Sequence, residues 1–221
     1  MAAIDDKLLA DCYEEITKQF PKVKFRKCPV DLSQGDYIDV LDKATKDIHI
    51  SILCNNAGYI TTGFFADLPL ERSLRNYECN ASAPLKITHH FLNKMIESKK
   101  KGFITFTSSS AGFIPGPLSS LYCSTKSFLT LYGSSLAAEV KPFGIDVLIV
   151  HPSPIASRFL TNSGGVKMLE MSGKVAAPPS VIADSVFACA GRCVVRDQVY
   201  YYYYLFIILN FIILIISIFF I

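Results

Sequence analysis

The stretch HISILCNNAG, residues 49–58, starts as an almost unbroken apolar run and ends in small and polar residues. A run this short, bounded by turn-forming residues, reads as a β-strand covered by helices on both faces. Outward from it, residues 6–20, DKLLADCYEEITKQF, set Leu9, Tyr13, Ile16 and Phe20 on one helical stripe. VKFRKCPVDLS, residues 23–33, alternates as a short strand ending at Asp31, and Ser33 is placed to cap a second helix carrying Tyr37, Val40, Leu41 and Ala44. Downstream come a long helical region over about 70–98, the strand FITFTS at 103–108, a helix over about 120–140, and the buried strand IDVLIVHP at 145–152.

Strands alternating with helices predict an α/β fold with a parallel sheet and crossover connections. No internal repeat or long linker divides the chain, so residues 1–198 read as one domain and 199–221 as a separate hydrophobic tail. In open parallel sheets, ligands lie beyond the carboxyl ends of the strands. Four segments finish strands in polar or small residues: Asp31–Ser33, Asn55–Gly58, Ser108–Ser110 and His151–Ser153. That edge is where a site is expected.

The net charge of +3 is small and scattered, which argues against a nucleic-acid footprint. The seven cysteines are odd in number and contain no C-x-x-C pair, the pattern of reduced thiols in an intracellular protein. Cys189 and Cys193 lie a turn apart without a nearby histidine, so no zinc site is expected. Asp5, Asp6 and Lys7 interrupt any apolar leader. His89, His90 and His151 read as packing or surface residues, since no carboxylate partner is evident in the sequence.

At the other end, LFIILNFIILIISIFFI at 205–221 carries only Asn210 and Ser217 as polar residues and follows five tyrosines, Tyr200–Tyr204. Its length meets the lower bound of roughly 17–25 residues for a spanning helix, and tyrosines favour the interface level. Arg192 and Arg196 just before it would leave the main domain on the cytosolic side. The same composition also fits translated A/T-rich noncoding sequence, so a membrane anchor and a spurious tail both stand.

Tyr122 and Lys126, in LYCSTK at 121–126, are one helical turn apart and project from one face. Alone, the pair reads equally well as a surface tyrosine lying over a lysine stem. The wider set is more specific. NNAG at 55–58, Asn80, SSSAG at 108–112 and Tyr122-x-x-x-Lys126 occur in an order that resembles the short-chain dehydrogenase/reductase family over residues 5 to about 198, with Ser109 thirteen residues before Tyr122. HPSPIAS at 151–157 has Ser153 and Ser157 where that family usually carries a glycine and a threonine. YCSTKSF and EVKPFGIDV are loosely similar to membrane-associated reductases of 3-oxoacyl-CoA, hydroxysteroids and 3-ketosphinganine.

The resemblance implies a Rossmann-like doubly wound parallel sheet and an oxidoreductase using NADP, with NAD also open. It implies a lipophilic substrate, attachment to a membrane such as the endoplasmic reticulum, and a homodimer formed through the long helices. A nascent alkoxide must be protonated as hydride arrives, and a phenol can supply that proton if a nearby cation favours its anion. By resemblance Tyr122 is that donor, Lys126 the cation that also reaches a ribose, and Ser109 the hydroxyl that holds the substrate oxygen.

Pro84 lies four residues after Asn80, so a helix kink is expected there, freeing the Asn80 carbonyl. The resemblance gives that carbonyl a water relaying protons to Lys126. It also implies that Asp31 accepts from an adenine amine, that Asn56, Ala57 and Gly58 let a cofactor close to the backbone, and that Ile155 and Ser157 flank the nicotinamide and pyrophosphate. Residues 157–180 suit a mobile lid, or equally an inert loop.

The family's glycine-rich turn is missing: Gly35 and Gly58 come first and belong to no G-x-x-x-G-x-G pattern. The expected deficit is strand one, its helix and strand two, with Met1 falling just after the second strand. That would leave the strand at 23–33 either shifted against the strand at 49–58 or without a working arrangement. A non-catalytic fragment or tethered module is therefore the competing reading.

Overall fold

The computed structural model describes residues 1–4, 6–159 and 176–198. In chain order the elements are β1 (Ala2–Ala3), α1 (Lys7–Gln19), β2 (Cys28–Pro29), α2 (Tyr37–Thr45), β3 (Ile52–Asn55), α3 (Leu70–Tyr77), α4 (Ala83–Glu97), β4 (Gly102–Thr107), α5 (Ser120–Val140), β5 (Ile145–Pro152), α6 (Ser180–Cys189) and β6 (Val195–Gln198). β3, β4, β5 and β6 form a parallel sheet in that order, while β1 and β2 pair in parallel as a separate two-stranded sheet. The predicted α/β architecture is present, and it is split.

The larger sheet is held by the core that the apolar runs require. Ile104 and Phe106 of β4 and Ile145, Val147 and Ile149 of β5 pack with Leu129, Leu136 and Val140 of α5 and Met95 of α4. Each fully buried side chain of this size contributes roughly 1.5–3 kcal/mol. α5 lies close because Gly133 faces the strands: a Cβ there would stand 2.8 Å from Ile149 and 3.0 Å from Phe106.

The N-terminal region departs from expectation. Residues 2 and 3 are themselves a strand, and the strand foreseen over 23–33 shrinks to Cys28–Pro29. It neither shifts to β3 nor loses its pairing; it pairs with β1 instead. An apolar cluster of Cys28, Tyr37 and Leu41 with Ala83, Ile87 and Phe91 of α4, against which Leu53 of β3 packs, ties the small sheet to the large one. Side chains hold this junction where no backbone ladder does.

β3 also differs from the strand foreseen as covered on both faces. Leu53 is half-buried and Asn55 buried, but Ile52 is 59% exposed and Cys54 is exposed. Among the described residues, nothing pairs with the β3 edge opposite β4.

The first helix forms as read, capped by Asp6, whose carboxylate accepts from the Leu9 N–H at 2.8 Å, and Leu9 is its buried residue. Ser33 caps nothing: α2 starts at Tyr37, and Ser33 turns back onto Asp31. Among the described residues, no helix is long and apolar enough to cross a membrane, and the tail at 199–221 lies outside them. Residues 160–175 of the predicted lid also lie outside.

Candidate active site

The carboxyl ends of β3, β4 and β5 share one edge because all three run parallel, and the chemistry-bearing residues gather there. Tyr122 and Lys126 sit one turn apart on α5 as predicted, the Lys126 Nζ lying 5.6 Å from the Tyr122 ring centroid. Neither is a surface residue: Tyr122 is 7% and Lys126 3% exposed. The Lys126 ammonium donates to the Thr107 carbonyl at the end of β4, 2.7 Å away. Burial pushes its pKa down to about 8, with the neighbouring Cys79 acting in the opposite direction. Cys79 is itself pushed up to about 11 by burial.

Asn80 is fully buried, but not at a simple kink. Glu78–Ser82 forms one wide π-turn between α3 and α4, closed by the Ala83 N–H onto the Glu78 carbonyl. Pro84 thereby falls in the first turn of α4, where no N–H is needed. The Asn80 side chain grips the backbone after β3: its Oδ1 accepts from the Tyr59 N–H at 3.0 Å and its Nδ2 donates to the Tyr59 carbonyl at 2.8 Å. Asn76, also fully buried, donates to the same carbonyl at 2.8 Å. Asn76 and Tyr59 were not singled out from sequence, yet the signal existed: two asparagines one turn apart inside a helix, where asparagine is disfavoured without a specific partner.

Gly58 joins these segments. A Cβ on it would stand 3.1 Å from Asn80 Oδ1 and 3.4 Å from Lys126 Nζ. The missing side chain is what lets the β3 loop, the π-turn and α5 meet. Gly58→Ala is therefore expected to displace Asn80 or Lys126 and to lower nucleotide affinity while the far-ultraviolet circular dichroism stays unchanged; unaltered affinity would mean that the close approach has no role.

Ser109 follows β4 and starts the single turn Ser110–Phe113, its Oγ accepting from the Ala111 N–H at 3.1 Å. A hydroxyl so used still has its proton to donate. Ala111 packs on the cluster of Ile60, Tyr122 and Cys123, as does Phe159, whose ring lies 5.7 Å from that of Tyr122. Tyr122 thus has apolar walls.

The remaining predicted residues are more dispersed. Asn56 and Ala57 are exposed on the same edge, with Asn56 Oδ1 accepting from Thr107 Oγ1 at 2.9 Å. Ile155 bridges to Ala177, and the Ser157 hydroxyl accepts from the Phe159 N–H at 3.4 Å. Asp31, at the end of β2, accepts from the Ser33 N–H at 2.8 Å, the Ser33 hydroxyl at 2.7 Å and Gln34 at 2.7 Å, with Arg75 at 3.5 Å. Partial burial would raise its pKa, but these donors outweigh it and hold the carboxylate below its usual range. Two histidines read as lacking a carboxylate have one: His90 meets Asp42 at 2.8 Å and His151 meets Asp197 at 2.5 Å.

The residues fit one end of a dinucleotide better than the other. The close-packed junction of Gly58, Asn80 and Lys126 presents the groups that would lie against a nicotinamide and its ribose. Among the described residues no glycine-rich turn opens a helix at this edge to hold a diphosphate.

Known proteins resemble the chain. The family described as short chain dehydrogenase matches residues 1–165. A very-long-chain 3-oxoacyl-CoA reductase of Ajellomyces capsulatus is 34% identical over 155 residues, covering 67% of this chain and 45% of that protein. One of Bos taurus is 32% identical over 148 residues, covering 65% and 47%. The chain spans about half the length of these curated relatives. Among solved structures, a 7beta-hydroxysteroid dehydrogenase superposes with a TM-score of 0.77 at 21% identity, covering 90% of this chain and 77% of that one. A short-chain dehydrogenase from Sphingobium yanoikuyae in complex with NADPH gives 0.75 at 23%, covering 90% and 77%.

Proposed function

Because this chain belongs to the short-chain dehydrogenase family, we propose that it is a nicotinamide-dependent oxidoreductase that interconverts a ketone and a secondary alcohol on a lipophilic acyl substrate. The observation that carries this is the convergence of Gly58, Asn80, Tyr122 and Lys126 at the carboxyl edge of the sheet, with the ammonium buried against the Tyr122 ring. The relatives' names support an acyl substrate, and the apolar walls of Ile60, Cys123 and Phe159 around Tyr122 suit a greasy one. NADP is the proposed cofactor with NAD open beside it, as one structural neighbour holds NADPH and another NAD.

A nicotinamide held near Lys126 and the backbone at Asn56–Gly58 would supply the hydride for the carbonyl carbon. Tyr122 donates its phenolic proton to the oxygen as negative charge grows there. Lys126, cationic at neutral pH and anchored on Thr107, stabilises the phenolate left behind. The Ser109 hydroxyl donates to the same substrate oxygen and fixes its position. Asn80 holds the Tyr59 backbone and so the shape of the loop against which Lys126 rests, and its carbonyl is the seat for a proton-relaying water.

A homodimer is part of this reading. Leu74 and Tyr77 on α3, Leu85 on α4, and Phe128 and Leu131 on α5 are all exposed, Leu131 by 73%. Leu131→Glu is expected to convert a dimer to a monomer in analytical ultracentrifugation; an unchanged mass would place the interface elsewhere. The tail at 199–221 is proposed as a membrane anchor, with the endoplasmic reticulum suggested by the type of relative and the catalytic domain facing the cytosol.

One observation favours a second reading, a non-catalytic module: among the described residues the β3 edge is unpaired, and the exposed Ile52 and Cys54 leave the sheet open where cofactor support is needed. Fluorescence titration with NADPH separates the two. Saturable binding supports the enzyme, and none at millimolar nucleotide leaves the module.

A further inference from the structure

His151 is fully buried at the end of β5, and a continuous hydrogen-bonded chain runs through it. Its Nδ1 lies 2.5 Å from an Asp197 carboxylate oxygen on β6 and its Nε2 2.9 Å from Thr130 Oγ1 on α5. Thr130 Oγ1 lies 2.8 Å from Ser108 Oγ. Both hydroxyls reach the Lys126 carbonyl, Ser108 at 2.6 Å and Thr130 at 3.0 Å. Asp197 is 55% exposed, so the chain links a solvent-facing carboxylate to the backbone of the turn that carries Tyr122 and Lys126.

Counting protons shows what the chain can do. These five contacts are served by one proton on each hydroxyl plus one or two on the imidazole. With neutral His151, Nδ1–H donates to Asp197 and Nε2 must accept, which takes the Thr130 proton. Ser108 is then the sole hydroxyl able to donate to the Lys126 carbonyl, and the Thr130 contact to that carbonyl has no proton. With both ring nitrogens protonated, Nε2–H donates to Thr130. That releases the Thr130 proton toward the Lys126 carbonyl, which then accepts from both hydroxyls in place of Ser108 alone.

We propose that His151 is a positioning residue for Lys126: its protonation reverses the His151–Thr130 hydrogen bond and frees the Thr130 proton for the Lys126 carbonyl, which ties the α5 turn to the ends of β4 and β5. The proposal rests on reading Lys126 as the cation of the proton-transfer pair. Asp197 is the charged group facing the ring from β6, while α5 presents Thr130 and the Lys126 carbonyl, and the turn after β4 presents the Phe113 ring, its centroid 4.4 Å away. Burial lowers the imidazole's proton affinity and Asp197 partly restores it, leaving the midpoint below that of an ordinary histidine.

The sequence supplies a selective probe, because Lys126–Ser127 is its one Lys-Ser dipeptide. The full chain labelled with carbonyl-13C lysine and 15N serine gives a single inter-residue cross-peak, which reports hydrogen bonding at the Lys126 carbonyl. It is followed over roughly two pH units either side of the ordinary histidine value near 6.5, together with the ring nitrogens of His151. The expected result is a carbonyl shift with the same midpoint as the His151 ring. Thr130→Val should abolish that shift while the ring still titrates, Asp197→Asn should lower the midpoint, and His151→Gln should leave the carbonyl unresponsive. A carbonyl that is unmoved through the His151 midpoint, or moves equally in Thr130→Val or His151→Gln, would overturn the proposal. No turnover is needed, so failure to bind NADPH would remove the oxidoreductase reading without affecting this result.

Discussion

Replacing Tyr122 by phenylalanine is expected to lower turnover about 10²–10⁴-fold, the usual contribution of a positioned general acid, while NADPH affinity stays close to that of the wild type. The substitution removes one oxygen from a side chain that is 7% exposed and walled by Ile60, Cys123 and Phe159. The ring and its packing remain, so the fold should survive. What is lost is the one proton donor carried by the turn that faces Lys126. The split between kcat and nucleotide affinity checks this, and a variant retaining substantial turnover would remove Tyr122 from the proton-donor role.

Lys126→Met is expected to reduce turnover about 10²-fold or more and to change the pH dependence of stability in a direction that can be worked out. The Lys126 pKa falls from 10.5 to about 8 through burial. At about 1.4 kcal/mol for each tenfold change in proton affinity, keeping the ammonium inside costs the fold about 3 kcal/mol. Below about pH 8 the lysine is protonated in both folded and unfolded chains, and the cost is fully present. Between about 8 and 10.5 the unfolded chain holds more protons, so wild-type stability rises with pH relative to the methionine variant. The buried Cys123 thiol, whose pKa is raised by burial, acts in the opposite sense at high pH in both proteins and cancels in the difference. Cys79, whose pKa Lys126 lowers, instead keeps its proton longer in the methionine variant and adds to the difference. Paired melting curves from neutral to alkaline pH measure this, and a difference that stays flat would show that the amine is solvated. The same titration neutralises the cation beside Tyr122, so reduction should weaken above about pH 8.

The sequence and structure agree where burial dictates the pattern and part where a partner is distant. β5 and α5 fall at 145–152 and 120–140 as read, because the apolar residues of IDVLIVHP have to be buried and α5 presents a continuous face to them. The Tyr122–Lys126 pair was legible only beside NNAG, Asn80 and Ser109 in order, and its burial was not legible at all. β3 was read as doubly covered because Ile52, Leu53 and Cys54 are apolar, yet covering each face depends on neighbours the pattern does not name. The π-turn at Glu78–Ser82 was hidden because Pro84 announces a break without saying which backbone bonds absorb it. His151 looked inert for a similar reason: its carboxylate partner lies 46 residues away on β6. Asp31 anchors its own tight turn by accepting from Ser33, a role the strand-end position did not announce.

Deuterium transfer tests the central claim most directly. The full chain is incubated with 4-deuterated NADPH and a long-chain 3-oxoacyl-CoA, and the product is analysed by mass spectrometry. A 3-hydroxyacyl product carrying one deuterium on its carbinol carbon is expected with the wild type, and almost none with Tyr122→Phe over the same interval. Labelled product forming equally fast without the phenol, or none forming with the wild type while NADPH binds, would contradict it.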